Sequence, residues 1–97
     1  MEVNNLNNER LSTFRNQIDV IDQELMRILM SRMALSKEIA AYKQDHNLKI
    51  RDRERELQLI EDRTRDIDDE VLREALTDVL EAILKASRDV QESMQEK

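Results

Sequence analysis

Apolar side chains follow a single helical stripe through the first half of the chain. From Leu11 onward they recur at alternating steps of three and four residues, which places them on one face of an α-helix. The stripe consists of Leu11, Phe14, Ile18, Ile21, Leu25, Ile28, Leu35, Ile39 and Tyr42. It predicts a first helix over about residues 6–44, which at 1.5 Å per residue is roughly 55–60 Å long. Arg32 occupies the one position in this register that is not apolar.

Two shorter helices are predicted after the first. Because Asp and Asn favour turns, the segment 45–47 predicts the end of the first helix. A second helix is expected from near Asp52, whose carboxylate is suited to cap it, to about Thr64. Acidic residues within 66–69 predict the next turn and cap. A third helix over about 68–93 then carries apolar residues that are again spaced by four and three.

The chain is therefore predicted to be all-α, with one long, one short and one medium helix in a single domain over residues 1–97. The last three residues are expected to fray. The second helix, of about 13 residues, spans only ~20 Å and covers a third of the first. Apolar surface left in water costs about 25 cal/mol per Å². Pairing two chains along their long helices removes this loss, so we expect a two-fold symmetric homodimer.

Composition and charge exclude several classes of function. The chain has no Cys and a single His, His46, which excludes a disulfide framework and a histidine-rich metal site. No metal or cofactor motif is present, and we expect neither group. A net charge of −6 argues against nucleic-acid binding but says little about a small anionic ligand. No apolar run is long enough to span a membrane and the first residues lack a signal-peptide core, so we expect a cytoplasmic protein.

Three cations on the first helix are candidates for anion binding. Burying the guanidinium of Arg32 is costly unless it pairs with an anion. That anion is either a bound ligand or an acidic side chain of a neighbouring helix. Lys43 lies about three helical turns later on the same face, ~16 Å away along the helix, so the two side chains could grip a small anion. Arg15 lies on a different face. It could reach the same pocket only from the partner of an antiparallel dimer, and otherwise it is a solvated surface residue.

Polar residues in the second half of the chain offer a second set of candidates. The charge run 51–56 is typical of a solvated helix start, although an Arg-rich start is also suited to an anionic ligand. Ser87 and Gln91 lie four residues apart on one face of the third helix, beside its apolar stripe. They are either site residues or plain surface residues. The lone His46 lies in the first turn, so no Ser-His-Asp triad is possible.

Taken together, these residues resemble the all-α (AroQ-type) chorismate mutases over nearly the whole chain. Each motif is weak alone, but their order and spacing are specific. The matching segments are R-x-x-I-D-x-I-D-x-x-L from Arg15, L-x-x-R-x-x-L-x-x-x-I-x-x-x-K from Leu29, R-D-x-x-R-E from Arg51, and the pair Ser87 and Gln91. The resemblance implies an intertwined homodimeric bundle of three-helix chains, with each active site built from both subunits. It implies conversion of chorismate to prephenate, in the biosynthesis of phenylalanine and tyrosine.

The resemblance also implies a role for each candidate on the reacting part of the substrate. Arg32 and Arg15 of the partner subunit are expected to bind the two carboxylates of chorismate, with help from Ser87. Lys43 and Gln91 are expected to donate hydrogen bonds to the ether oxygen of the breaking bond. A Claisen rearrangement is pericyclic and needs no nucleophile, base, metal or cofactor. The reaction depends instead on conformational restriction and on stabilising charge at the ether oxygen.

The remaining implied roles concern the ring hydroxyl and the pocket wall. Glu56 is expected to accept a hydrogen bond from the hydroxyl, with the backbone near Asp52 close by. Arg55 is expected to shape and charge the wall, and Arg51 to be peripheral. An isochorismate-pyruvate lyase on the same fold is the nearest alternative, but those relatives tend to lose the acid found here as Glu56. A non-catalytic helical bundle that binds a partner helix is the other alternative, and it leaves Arg32 unexplained.

Overall fold

Three helices make up the described part of the chain in the computed structural model, which covers residues 2–95, with side chains from residue 8 onward. Helix α1 spans Glu2–Asp45, α2 spans Arg53–Thr64 and α3 spans Glu70–Gln95. No strand occurs in this range, so the predicted all-α, three-helix chain is confirmed. Helix α1 starts four residues earlier than predicted, and the other predicted ends agree within two residues. The prediction that the last three residues fray is wrong for Gln95, which belongs to α3, and residues 96 and 97 lie outside the described range.

The helices end and begin at standard capping motifs, with Asn in the position that Gly usually takes. Helix α1 closes in a Schellman motif, in which Leu48 N donates to Lys43 O at 2.8 Å and Asn47 N donates to Gln44 O at 3.3 Å. Asn47 takes the left-handed conformation, with φ of 57°, which Asn tolerates better than most residues. Asp52 caps α2 as predicted, because its carboxylate accepts the backbone N–H of Arg55 at 3.1 Å.

Helix α3 begins at a cap of the same kind. The Asp69 carboxylate accepts the backbone N–H of Leu72 at 3.1 Å, and the Asp69 carbonyl accepts from Arg73 N at 2.9 Å. The acidic cluster within 66–69 therefore marks the turn and cap predicted from the sequence. Within residues 2–95, no helix combines the length and the apolar character that crossing a bilayer requires.

The chain divides into two compact units, Met1–Arg32 and Met33–Lys97. In the first unit, the stripe residues from Leu11 to Ile28 keep between 44% and 60% of their surface exposed. In the second unit, α2 packs against α3. The hydrophobic residues buried among those described are Ala40 and Leu84, and the buried polar residues are Ser36, Thr64, Ser87 and Gln91. Polar residues are rarely buried without a reason, so the interior of the second unit is the place to look for a site.

Candidate functional site

Glu56 is held by two cations. Its carboxylate lies in the first turn of α2, where Arg88 of α3 donates from Nη1 to Oε2 at 2.6 Å. Arg51 Nε lies 3.5 Å from the other oxygen, Oε1. Only 15% of the Glu56 side chain and 21% of the Arg88 side chain are exposed. Because a carboxylate this well covered needs compensating charge, both of its oxygens are engaged by cations.

The buried polar side chains of α3 lie one helical turn apart. Ser87 Oγ and Ser36 Oγ, on the last part of α1, share a hydrogen bond of 2.6 Å in which either hydroxyl can donate. Gln91 is 7% exposed, and its amide oxygen Oε1 accepts no hydrogen bond from the described residues. A buried acceptor without a partner is costly, by about 1–3 kcal/mol. A buried polar atom of this kind needs a reason, which makes Gln91 a candidate for contact with a ligand.

Lys43 lies in the last turn of α1, with its side chain part-buried. Its ammonium group donates to the carbonyl oxygen of Ile50 at 2.6 Å, in the connection to α2. A groove of about 400 Å³ runs beside this contact, lined by Lys43, Leu48, Lys49, Arg51, Asp52, Arg53 and Glu54. Because an ammonium group has three donors, Lys43 keeps two for other partners.

Two predicted site residues are exposed on α2 or at its start. The Asp52 carboxylate is engaged as the helix cap, and the residue is exposed. Arg55 is also exposed and lines a second groove together with Glu54, Leu57, Gln58 and Glu61. The structure therefore gives Asp52 a clear structural role and leaves the Arg55 guanidinium at the surface.

The two remaining candidates belong to the first unit. Arg15 is exposed and Arg32 is part-buried on α1. In the second unit, direct contacts join Glu56 to α3 and Ser87 to α1. Within residues 8–95, no group of three or more His, Cys, Asp or Glu side chains is arranged to hold a metal ion.

Two residues of the site were not predicted from the sequence, namely Ser36 and Arg88. Ser36 lies four residues after Arg32 and so shares its helical face, which is a signal that spacing alone could have supplied. Arg88 directly follows Ser87, but nothing in its spacing shows that it meets an acid 32 residues earlier on α2.

The comparison with known families identifies one relationship. A family model described as chorismate mutase type II matches residues 14–92. All of the predicted site residues fall within this range. The chain matches no curated protein and no solved structure closely enough to establish a further relationship.

Proposed function

Because the chain belongs to the chorismate mutase type II family, as its motifs predict, we propose that it is an isomerase converting chorismate to prephenate. The match over residues 14–92 is the observation that carries this proposal, since it includes all of α2, most of α1 and α3, and every predicted site residue. It also supports one functional domain over residues 14–92, while the single domain expected over residues 1–97 stays a prediction. The reaction is a step toward phenylalanine and tyrosine. The cytoplasmic location expected from the sequence stays a prediction.

The proposed reaction breaks one bond and forms another within a single molecule. The ether carbon–oxygen bond of chorismate breaks as a carbon–carbon bond forms, and no proton, leaving group or cofactor takes part. The protein then needs to hold the compact reactive conformer and to stabilise negative charge on the ether oxygen. Lys43 and Gln91 are proposed to donate hydrogen bonds to that oxygen. The spare donors of the Lys43 ammonium and the burial of Gln91 support this assignment.

Hydrogen bonds from Lys43 and Gln91, together with restriction of the substrate's conformation, are sufficient for the transition-state stabilisation that the reaction requires. An acceleration of about a million-fold needs roughly 8 kcal/mol of transition-state stabilisation. Hydrogen bonds from charged donors contribute about 1.5–3 kcal/mol each. Restricting a flexible substrate to a near-attack geometry contributes several kcal/mol more, on the order of 7 kcal/mol in favourable intramolecular systems. Electrostatics and restriction together are therefore sufficient without covalent or general-acid chemistry.

Binding of the two substrate carboxylates is assigned to cations on α1. We propose that Arg32 and Arg15 of the partner subunit pair with the carboxylates and that Ser87 assists. Arginine suits this role because its planar fork matches a carboxylate with two parallel hydrogen bonds. The Ser87 hydroxyl lies in a buried polar environment beside Ser36, where a further hydrogen bond would be well shielded from water.

Recognition of the ring hydroxyl is assigned to Glu56. An ionised carboxylate offers about four lone-pair sites. The contacts with Arg88 and Arg51 thus leave both oxygens able to accept another hydrogen bond. The backbone near Asp52 and the guanidinium of Arg55 complete the proposed wall of the pocket.

The function is tested directly by following chorismate consumption in a spectrophotometer and identifying the product. We expect prephenate from chorismate and no pyruvate from isochorismate. A folded, helical chain that leaves chorismate unchanged would refute the proposal. Release of pyruvate from isochorismate would instead assign the chain to the lyase reaction.

A homodimer is the second part of the proposal. The apolar stripe of the first unit, from Leu11 to Ile28, is about half exposed along its whole length in the single chain. A contiguous apolar surface of this kind marks an interaction site, and each Å² removed from water contributes about 25 cal/mol. A second copy presents the same stripe and covers it by two-fold pairing. The same arrangement supplies Arg15 to the site of the partner subunit.

Replacing Ile21 by Lys is expected to weaken this dimer and to lower mutase activity. Ile21 is 60% exposed in the single chain, and a charge placed in an apolar interface is costly to bury. Sedimentation equilibrium should give about twice the 11.6 kDa chain mass for the wild type and a lower mass for Ile21→Lys.

The matched control is Gln23→Lys, on the opposite face of the same helix, which should leave mass and activity unchanged. A wild-type chain that sediments as a monomer at assay concentrations would contradict the dimer.

A further inference from the structure

The contact between Arg88 and Glu56 differs from ion pairs between residues three or four positions apart. It joins two helices, α3 and α2, across 32 positions of sequence. Pairs such as Lys85 with Asp89 lie within one helix and keep 70% and 59% of their side chains exposed. An exposed pair of that kind contributes little to stability because water screens it. A well-covered pair, in contrast, holds both of its members in place, because separating them leaves a buried charge without compensation.

From this contact we propose that Arg88 is a positioning residue, which holds the Glu56 carboxylate in the orientation that accepts the substrate's ring hydroxyl. The inference rests on the proposed function and adds to it a residue that the sequence motifs do not single out. Arg88 engages Oε2 at 2.6 Å, while Arg51 approaches Oε1 at 3.5 Å. Two cations on opposite oxygens set the plane of the carboxylate and leave one direction on each oxygen for the hydroxyl.

The position of Arg88 in α3 lets it contact α2 while the adjacent residue contacts α1. Its neighbour Ser87 bonds Ser36 of α1, whereas Arg88 itself, about 100° further round the helix, reaches α2. Arg88 and Glu56 both line a groove of about 300 Å³ between α2 and α3. One turn of α3 thus carries the site residue Ser87 on one face and, on the adjacent face, Arg88, which holds the site residue Glu56.

Arg88→Met is expected to lower kcat/KM for chorismate by about 10–100-fold, the effect of losing one charge-assisted hydrogen bond. Most of the loss should be in KM, because the hydroxyl contact exists in both the ground state and the transition state. Arg88→Lys should recover most of the activity, since Arg88 makes a single contact that an ammonium group can replace. Lys85→Met removes a cation from the same helix and groove, and it should stay within about twofold of the wild type.

A double-mutant cycle separates positioning from general support of the fold. If Arg88 acts through Glu56, adding Arg88→Met to Glu56→Gln should change kcat/KM by less than about twofold. The double variant removes both charges of the pair, so the comparison holds even if Arg88→Met alone does not fold. A full additional loss in the Glu56→Gln background, or wild-type KM in folded Arg88→Met, would overturn the inference. A wild-type protein without mutase activity would instead refute the proposed function on which it rests.

Discussion

Replacing Lys43 by Ala is expected to lower kcat for chorismate by about 100–1000-fold, the usual effect of removing one donor aimed at a developing negative charge. The ammonium group is proposed to meet the ether oxygen as its bond to carbon stretches, when the charge on oxygen is largest. The effect should therefore fall on kcat rather than on KM alone. The measurement is steady-state kinetics together with circular dichroism, which should show the helical spectrum of the wild type.

The structure suggests the control for this variant. Lys49 lines the same groove between α1 and α2, but it is exposed and has no assigned contact with the substrate. Lys49→Ala should therefore retain wild-type kinetics. Lys43 also donates to the Ile50 carbonyl, and loss of that bond should lower the melting temperature by a few degrees. Thermal unfolding distinguishes this effect from loss of catalysis. Unchanged kcat in Lys43→Ala would rule out the proposed role.

Mixing two inactive variants is expected to restore activity if each site draws on both chains. Arg15→Ala removes a carboxylate ligand from the site of the partner subunit, and Lys43→Ala removes the donor from its own site. In a mixed dimer, one site has lost both residues and the other has kept both. With free exchange of equal amounts, half of the dimers are mixed, so about a quarter of the wild-type activity should return.

Subunit exchange has to be demonstrated in the same experiment, for example by energy transfer between differently labelled chains. The informative control is a mixture of Lys43→Ala with Gln91→Ala. Lys43 and Gln91 are both proposed to come from the same subunit in each site. Each site of the mixed dimer therefore lacks one of them, and no site is intact. Recovery of activity in the Arg15 mixture alone supports the shared site. Failure of that mixture to recover, despite proven exchange, would contradict it.

Much of the fold follows from local rules that act within a few residues. The three-and-four spacing of apolar residues predicts the long helix α1, because it matches the helical period. Asp52 and the acidic cluster before α3 predict the helix starts, because a short carboxylate satisfies the free N–H groups of the first turn. The end of α1 also depends on local sequence, since Asn47 takes the left-handed conformation that Gly usually adopts at this position. The sequence predicts the start of α1 four residues too late, because the residues before Leu11 lack the apolar period.

The candidate site was predictable only in part. Spacing and the family motifs single out Lys43, Ser87 and Gln91 as donors suited to a small dianion, and the family motifs add Glu56 as an acceptor for its ring hydroxyl. The roles assigned to them remain proposals. Ser36 was missed although it shares a face with Arg32, since a serine four residues from a cation carries no strong signal by itself.

What the sequence determined is therefore the type of each helix and its approximate extent, the apolar stripe along α1, and membership of the family. The tertiary structure alone decided that Arg88 meets Glu56, that Ser36 meets Ser87 and that the buried Gln91 oxygen accepts no hydrogen bond from the described residues. The physical reason is that helical periodicity fixes which side chains share a face of one helix. Which faces meet depends on packing between elements far apart in the chain, and no local pattern records those distances.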